Sequence, residues 1–277
     1  MRRTILTCAL VAAATATATA TAGEAGEGWT WDGELSLTGG YMDYRETGSN
    51  GLELNREHGT LPGVAAALRG RFARWSAGAE LSYFDGDVRY EGQTNAGTGL
   101  TTRTDQRIAD GSAWIGLRGF ERPESILDVY AGGGLRWWNR DIRSTASAFG
   151  VDETYAWPYL LAGLWAERRL AGGDAVSLDL RLLRPVDPSL DVDFKNDYDS
   201  VEVGQDPRAG GRVSLAWSRP WTGGRSLAVS VWYEQWRFGA GEAEVLRRNG
   251  VAIGSVREPE SDTEFVGLAL TLGGLRF

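Results

Sequence analysis

Residues 261–277 read SDTEFVGLALTLGGLRF, an alternation of apolar with small or polar side chains that runs to the last position. Val266, Leu268, Leu270 and Leu272 share one face of a strand, while Leu275 and Phe277 fall on the opposite parity. Gly273 and Gly274 stand where the phase changes, which predicts a β-bulge. An apolar side chain at a chain end gains little in water. The pattern therefore points to a second apolar medium outside the protein.

The same alternation recurs upstream. In AVSLDLRLLRP (175–185), Val176, Leu178, Leu180 and Leu182 point one way and Ser177, Asp179 and Arg181 the other. In SLAVSVWYEQW (226–236), Leu227, Val229, Val231 and Tyr233 lie opposite Ser230 and Glu234. Ten such segments are read: 33–46, 62–74, 76–90, 106–119, 125–140, 153–169, 174–186, 207–220, 226–239 and 262–277. Short turns near 74, 122, 172 and 222 alternate with longer polar stretches at 47–61, 91–105, 141–152, 187–206 and 240–261. The turns recur about every 50 residues, a spacing that a propeller would also show, but each interval holds two long strands where a blade needs four short ones. The expected fold is all-β: a ten-stranded, antiparallel, up-and-down transmembrane β-barrel with short periplasmic turns and long extracellular loops. In hydrocarbon every backbone polar group must be paired, so a membrane sheet has to close on itself.

Trp29, Trp31, Tyr41, Trp75, Trp137, Trp138, Trp157, Trp165, Trp217, Trp221 and Trp236 fall near strand ends and are expected to form two interfacial girdles. The face opposite the apolar one should line the lumen. It carries Glu34, Arg69, Arg71, Glu80, Asp110, Arg118, Asp128, Arg136, Asp179, Arg181, Arg212, Glu234 and Arg276. Buried charges persist only when paired, so an Arg–carboxylate network is expected across a narrow interior, as a plug or as a small polar conduit.

Composition narrows the function. The net charge of −8 argues against nucleic acid as a partner. MRRTILTCALVAAATATATATA has the charged start, apolar run and small-residue end of a signal peptide, so 1–25 are expected to be cleaved and 26–277 to form the barrel. Cys8 lies inside that leader, and a mature chain without cysteine holds its fold without disulfides. His58 is the sole histidine, so neither a zinc site of ordinary ligands nor a serine triad is marked. No phosphate-binding or dinucleotide fingerprint occurs, and no cofactor is expected. The glycines of GGGLRWW (132–138) are read as mid-strand residues that relieve crowding. Residues 186–206 set Asp187, Asp191, Asp193, Asp197, Asp199, Glu202 and Asp206 against Lys195 alone. Within it, Asp191, Asp193, Asp197 and Asp199 are candidate ligands for a divalent cation, the alternative being a solvated acidic loop.

The terminal stretch resembles the last strand of Gram-negative outer-membrane barrels, whose terminal aromatic residue is read by the assembly machinery; that role falls here to Phe277. YAGGGLRWWNRD (130–141) and EPESDTEFVGLALTLG (258–273) resemble segments of uncharacterised outer-membrane barrel proteins. The strand count and size resemble the omptins, the surface proteases. These resemblances imply export to the outer membrane, contact with lipid and lipopolysaccharide, handling by the assembly machinery, and a monomer. Omptins place an acidic pair on the second long loop and an Asp-His pair on the fourth, with a water activated between them. Asp85 and Asp87, in YFDGDVRY (83–90), match the first pair; Asp197 and Asp199, in NDYDS (196–200), match the second, with Asp199 in the place of the histidine. A carboxylate has an unperturbed pKa near 4, far below that of a base suited to neutral pH. A non-enzymatic barrel is therefore expected, with an omptin-like surface hydrolase as the alternative.

Overall fold

The computed structural model describes residues 28–93, 97–195 and 198–276. The leader, Asp197 and Phe277 lie outside them, and nothing of the side chain of Arg276 is described. The strands in chain order are β1 (Thr30–Thr47), β2 (Glu53–Phe72), β3 (Trp75–Gln93), β4 (Gly99–Arg122), β5 (Ser125–Ile142), β6 (Asp152–Arg169), β7 (Ala175–Pro185), β8 (Ser189–Asp193), β9 (Val201–Gly204), β10 (Asp206–Pro207), β11 (Gly210–Pro220), β12 (Ser226–Gly239), β13 (Glu244–Arg248), β14 (Val251–Val256) and β15 (Glu260–Arg276).

Ten of these strands form a closed antiparallel ring. From β1 to β7 each pairs with the next; β7 pairs with β11, β11 with β12, β12 with β15, and β15 returns to β1. Closure leaves no free sheet edge in the ring. The other strands belong to two excursions at one end. β8 pairs with the upper part of β6 and with β9, β10 pairs with the top of β12, and β13 with β14 makes a separate hairpin. Among the described residues no helix is long and apolar enough to cross a membrane.

The opposite end turns tightly. Ala73 adopts φ 49° between β2 and β3, while Gly172 and Gly173, then Gly223 and Gly224, turn with positive φ. The predicted phase slip is present in β15. Leu272 faces Leu35 and Leu275 faces Gly33, so β15 carries one residue more than β1 across that step. Gly274 adopts φ 75°, and a Cβ there would lie 2.5 Å from the carbonyl oxygen of Gly224.

The long strands exceed expectation. β2 starts at Glu53 rather than 62 and β4 at Gly99 rather than 106, so much of 47–61 and 91–105 is sheet rather than loop. β1 to β6 hold 18 to 24 residues each, whereas a tilted strand needs about 9–11 to cross hydrocarbon. Polar outward residues hide this extension from a hydropathy reading.

An apolar belt circles the short-turn half. Leu37, Leu160, Leu182 and Leu268 are each 60–68% exposed, as no soluble core residue would be. Aromatic residues edge the belt: Trp29, Trp31, Phe72, Trp75, Trp217 and Trp221 below, and Tyr41, Tyr83, Trp137 and Tyr233 above. Trp29 stacks on Trp31 at 5.5 Å. Four of the tryptophans assigned to the girdles lie elsewhere: Trp138, Trp157, Trp165 and Trp236 are 1–9% exposed and point into the barrel. Strand parity governs them, since each is in phase with an inward neighbour.

Candidate functional site in the barrel interior

The interior has two storeys. Level with the apolar belt is a cavity of about 300 Å³. One wall is small and polar, with Ser36, Thr38, Ser214, Ser230 and Thr271. Bulky Tyr159 and Trp165 close the other side. Tyr159 lies against Gly134, leaving no room for a Cβ there, so that glycine does relieve crowding. Charge in this storey is paired. Arg181 reaches both oxygens of Glu80 at 2.7 Å and Asp179 at 2.6 Å. Arg69 lies 3.5 Å from Glu80. Arg136 meets Glu234 at 2.5 Å and Asp110 at 3.7 Å, and Arg212 meets Glu234 at 3.3 Å. Tyr130 and Tyr159 donate to Asp179 and Asp110. Nearer the turns, Arg118 pairs with Asp128 at 3.4 Å. Arg71 stacks on Trp165, and Glu34 faces the cavity.

Above the cavity, the inward positions change character. Met42, Leu61, Phe84, Ile108, Trp157, Trp236, Phe238 and Phe265 form a buried slab. Phe84 and Trp232 pack on Phe265 at 4.9 and 4.8 Å between ring centroids, contacts of roughly 0.5–1.5 kcal/mol each beyond area burial. The described residues of the expected charge network therefore lie in the lower storey, beneath the slab.

Over the slab sits a basin centred on Arg140, whose side chain is fully buried. Its guanidinium reaches Glu57 at 2.9 Å, Glu153 at 2.9 Å and Glu46 at 3.4 Å, and lies 4.1 Å over the ring of Tyr44. Thr104 and Gln106 donate to Glu57, and Tyr44 donates to Glu46. Tyr155 accepts from Arg140 at 2.7 Å and donates to Glu258 at 2.9 Å. Burial, together with the charges of Glu46 and Glu57, raises the Glu153 carboxyl to about 7 against the pull of Arg140. The sequence reading did not single out this basin. Its signal was parity: Arg140 follows Asp128 and Arg136 at even positions of β5.

No family model matches the chain, and no curated protein does. Solved structures do. The outer-membrane protease OmpT from Escherichia coli is 13% identical over 88% of this chain and 95% of its own, with a TM-score of 0.62. The fold is that of a ten-stranded outer-membrane β-barrel. Weaker matches include the translocator domain of the autotransporter NalP from Neisseria meningitidis (12% identity, 86% of this chain, 87% of that one, TM-score 0.39). An outer-membrane channel from Pseudomonas putida F1 follows (12%, 92%, 97%, 0.38). In such a barrel the apolar belt is the lipid-facing band, and the cavity lies at membrane depth.

Among the described residues the candidate loop carboxylates are not gathered in this barrel. Asp85 and Asp87 sit on the outward face of β3, in phase with Tyr83, and pair with Arg107 and Arg103 on β4. Asp199 accepts from the backbone N–H groups of Asn249 and Gly250 at 3.0 and 2.8 Å, at the tip of the β13–β14 hairpin. Asp191 and Asp193 face outward on β8, with Asp193 capping the amide of Lys195. Among the described residues no three His, Cys, Asp or Glu side chains converge as metal ligands. His58 lies on the outer wall of β2, 3.0 Å from the hydroxyl of Tyr41.

Proposed function

We propose that this protein is an integral outer-membrane barrel with a non-conducting interior and a structural or adhesive, non-enzymatic role, exerted by the half that stands above the lipid. The observation that carries this reading is the aromatic slab, roofed by the Arg140 basin, across the full interior. A polar conduit would need a continuous hydrated path, and the slab interrupts it. On this reading the long-loop end faces outward amid lipopolysaccharide, the chain is exported with loss of its leader, and the monomer suffices. Planar-bilayer recording of the refolded barrel should show no stable steps. Large sustained openings, with passage of sugars into liposomes, would overturn the reading.

The alternative, an omptin-like hydrolase acting through Asp85, Asp87, Asp197 and Asp199, has the fold likeness alone in its favour. Asp85 and Asp87 are engaged by arginines on the outer wall. Incubation with dibasic fluorogenic peptides and lipopolysaccharide should give no turnover. Turnover lost in both Asp85→Asn and Asp199→Asn would establish the hydrolase instead.

A further inference from the structure

Residues 240–259, between β12 and β15, carry the β13–β14 hairpin out into solvent, where Val245, Val251 and Ile253 are exposed. The excursion is drawn shut at its base by a hydrogen bond from the Gly241 amide to the Glu258 carbonyl, at 3.0 Å. The Glu258 side chain turns inward and is 6% exposed. It accepts from the Tyr155 hydroxyl at 2.9 Å and contacts the Gln205 amide at 3.5 Å. Among the described residues it forms no ion pair.

The groups around it come from five elements: Tyr44 and Glu46 on β1, Glu57 on β2, Arg140 on β5, Glu153 and Tyr155 on β6, and Gln205 between β9 and β10. Tyr90 on β3 feels the same carboxylates. One guanidinium thus pairs with Glu46, Glu57 and Glu153, and no cation pairs with buried Glu258 among the described residues. Full ionisation would leave negative charge without a counterion in a dry site, a costly arrangement. No three acidic side chains converge as metal ligands among the described residues, so a bound proton is the simplest relief. A second observation agrees. The Gln205 Oε1 atom is buried without a partner, and turning the amide over would offer it to a carboxylic acid proton.

We propose that 240–259 is an acid-held cap on the rim of the barrel: a protonated Glu258 latches its base onto the Arg140 basin, and loss of that proton releases it. The Asp199 carboxylate, accepting from the Asn249 and Gly250 amides, is a second tie on the hairpin, at its tip. Burial, then repulsion from Glu46 and Glu153, holds the Glu258 carboxyl well above the usual range. In the released cap the group is hydrated and returns to about 4.3. Latching therefore takes up a proton at higher pH. The latch is tightest below the hydrated value and weakens about tenfold per pH unit as pH rises toward the latched value.

The test uses spin labels at Ser255→Cys on the cap and Thr101→Cys on the opposite rim, with Cys8→Ser, in the folded barrel from about pH 4.5 to 8.5. The parent barrel should give one narrow distance in acid and a longer, broader distribution as pH rises. Glu258→Gln, which keeps the shape and hydrogen bonds of the protonated form, should stay narrow throughout. Glu258→Ala should be broad throughout while remaining heat-modifiable on gels. Distances that do not change with pH in the parent, or a Glu258→Gln barrel that titrates like it, would overturn the proposal.

Discussion

Along β3 a single strand passes between two solvents, and the meaning of its alternation reverses. In the lower part Leu81 and Tyr83 face out and Glu80 faces in; two residues farther on, Asp85 and Asp87 face out and Phe84 and Val88 face in. The pleat is unbroken, with β3 paired to β4 residue by residue from Trp75 to Gln93. Only the medium outside has changed. In lipid the outer face must be apolar and the interior can hold paired charge around a cavity. Above the lipid the outer face carries ion pairs such as Arg143–Asp105 at 2.5 Å, and the interior packs like a soluble core. The half that holds the barrel in the membrane is thus separate from the half that can meet other molecules.

The largest expected effect breaks both halves at once. Deletion of Phe277, or Phe277→Asp, should abolish assembly of the barrel, read as loss of the heat-modifiable species. A normal yield would show that the terminal aromatic plays no part.

The next contrast separates the storeys. Arg140→Leu leaves buried Glu57 and half-buried Glu153 without their cation and should cost roughly 3–5 kcal/mol in denaturant unfolding. Arg212→Leu, beside the cavity and 29% exposed, should cost clearly less because Glu234 keeps its pair with Arg136 at 2.5 Å. Equal losses would mean that Arg136 alone does not hold the charge of Glu234.

A third contrast probes the outer wall. Leu268→Arg, at the middle of the belt, should cost about 2–4 kcal/mol. Thr101→Arg, on the outer wall above it, should cost nearly nothing. The smallest effect is expected for Asp105→Asn. Its hydrogen bond from Arg143 holds the Asp105 carboxyl below the usual range, so its contribution is present above that range and is lost as pH falls through the lowered value. At an exposed pair the loss should stay under about 1 kcal/mol.

The membrane half was legible because lipid imposes a strict rule. Val176, Leu178, Leu180 and Leu182, and the slip at Gly273–Gly274, could be read directly. The upper half was not, because its outward residues are polar and its inward ones mixed. Glu57 and Thr104 sit in stretches that look like loop, and Trp157 and Trp236 look like girdle residues when only position is counted. The Arg140 basin gathers residues far apart in the chain, with 103 positions between Tyr155 and Glu258 alone. No local pattern announces such a convergence. The loop carboxylates erred in the other direction: Asp85 and Asp87 have the right spacing, but parity turns them outward.

The reversal along β3 can be measured directly. Single spin labels at 77, 79, 81, 83, 85, 87 and 89 in the reconstituted barrel, on an otherwise cysteine-free chain, report collision with oxygen in lipid or with a water-soluble nickel chelate. Oxygen should dominate from 77 to 81 and the chelate from 85 to 89, with the crossover at Tyr83. Oxygen dominance continuing through 89, or no crossover at all, would contradict the two-solvent account.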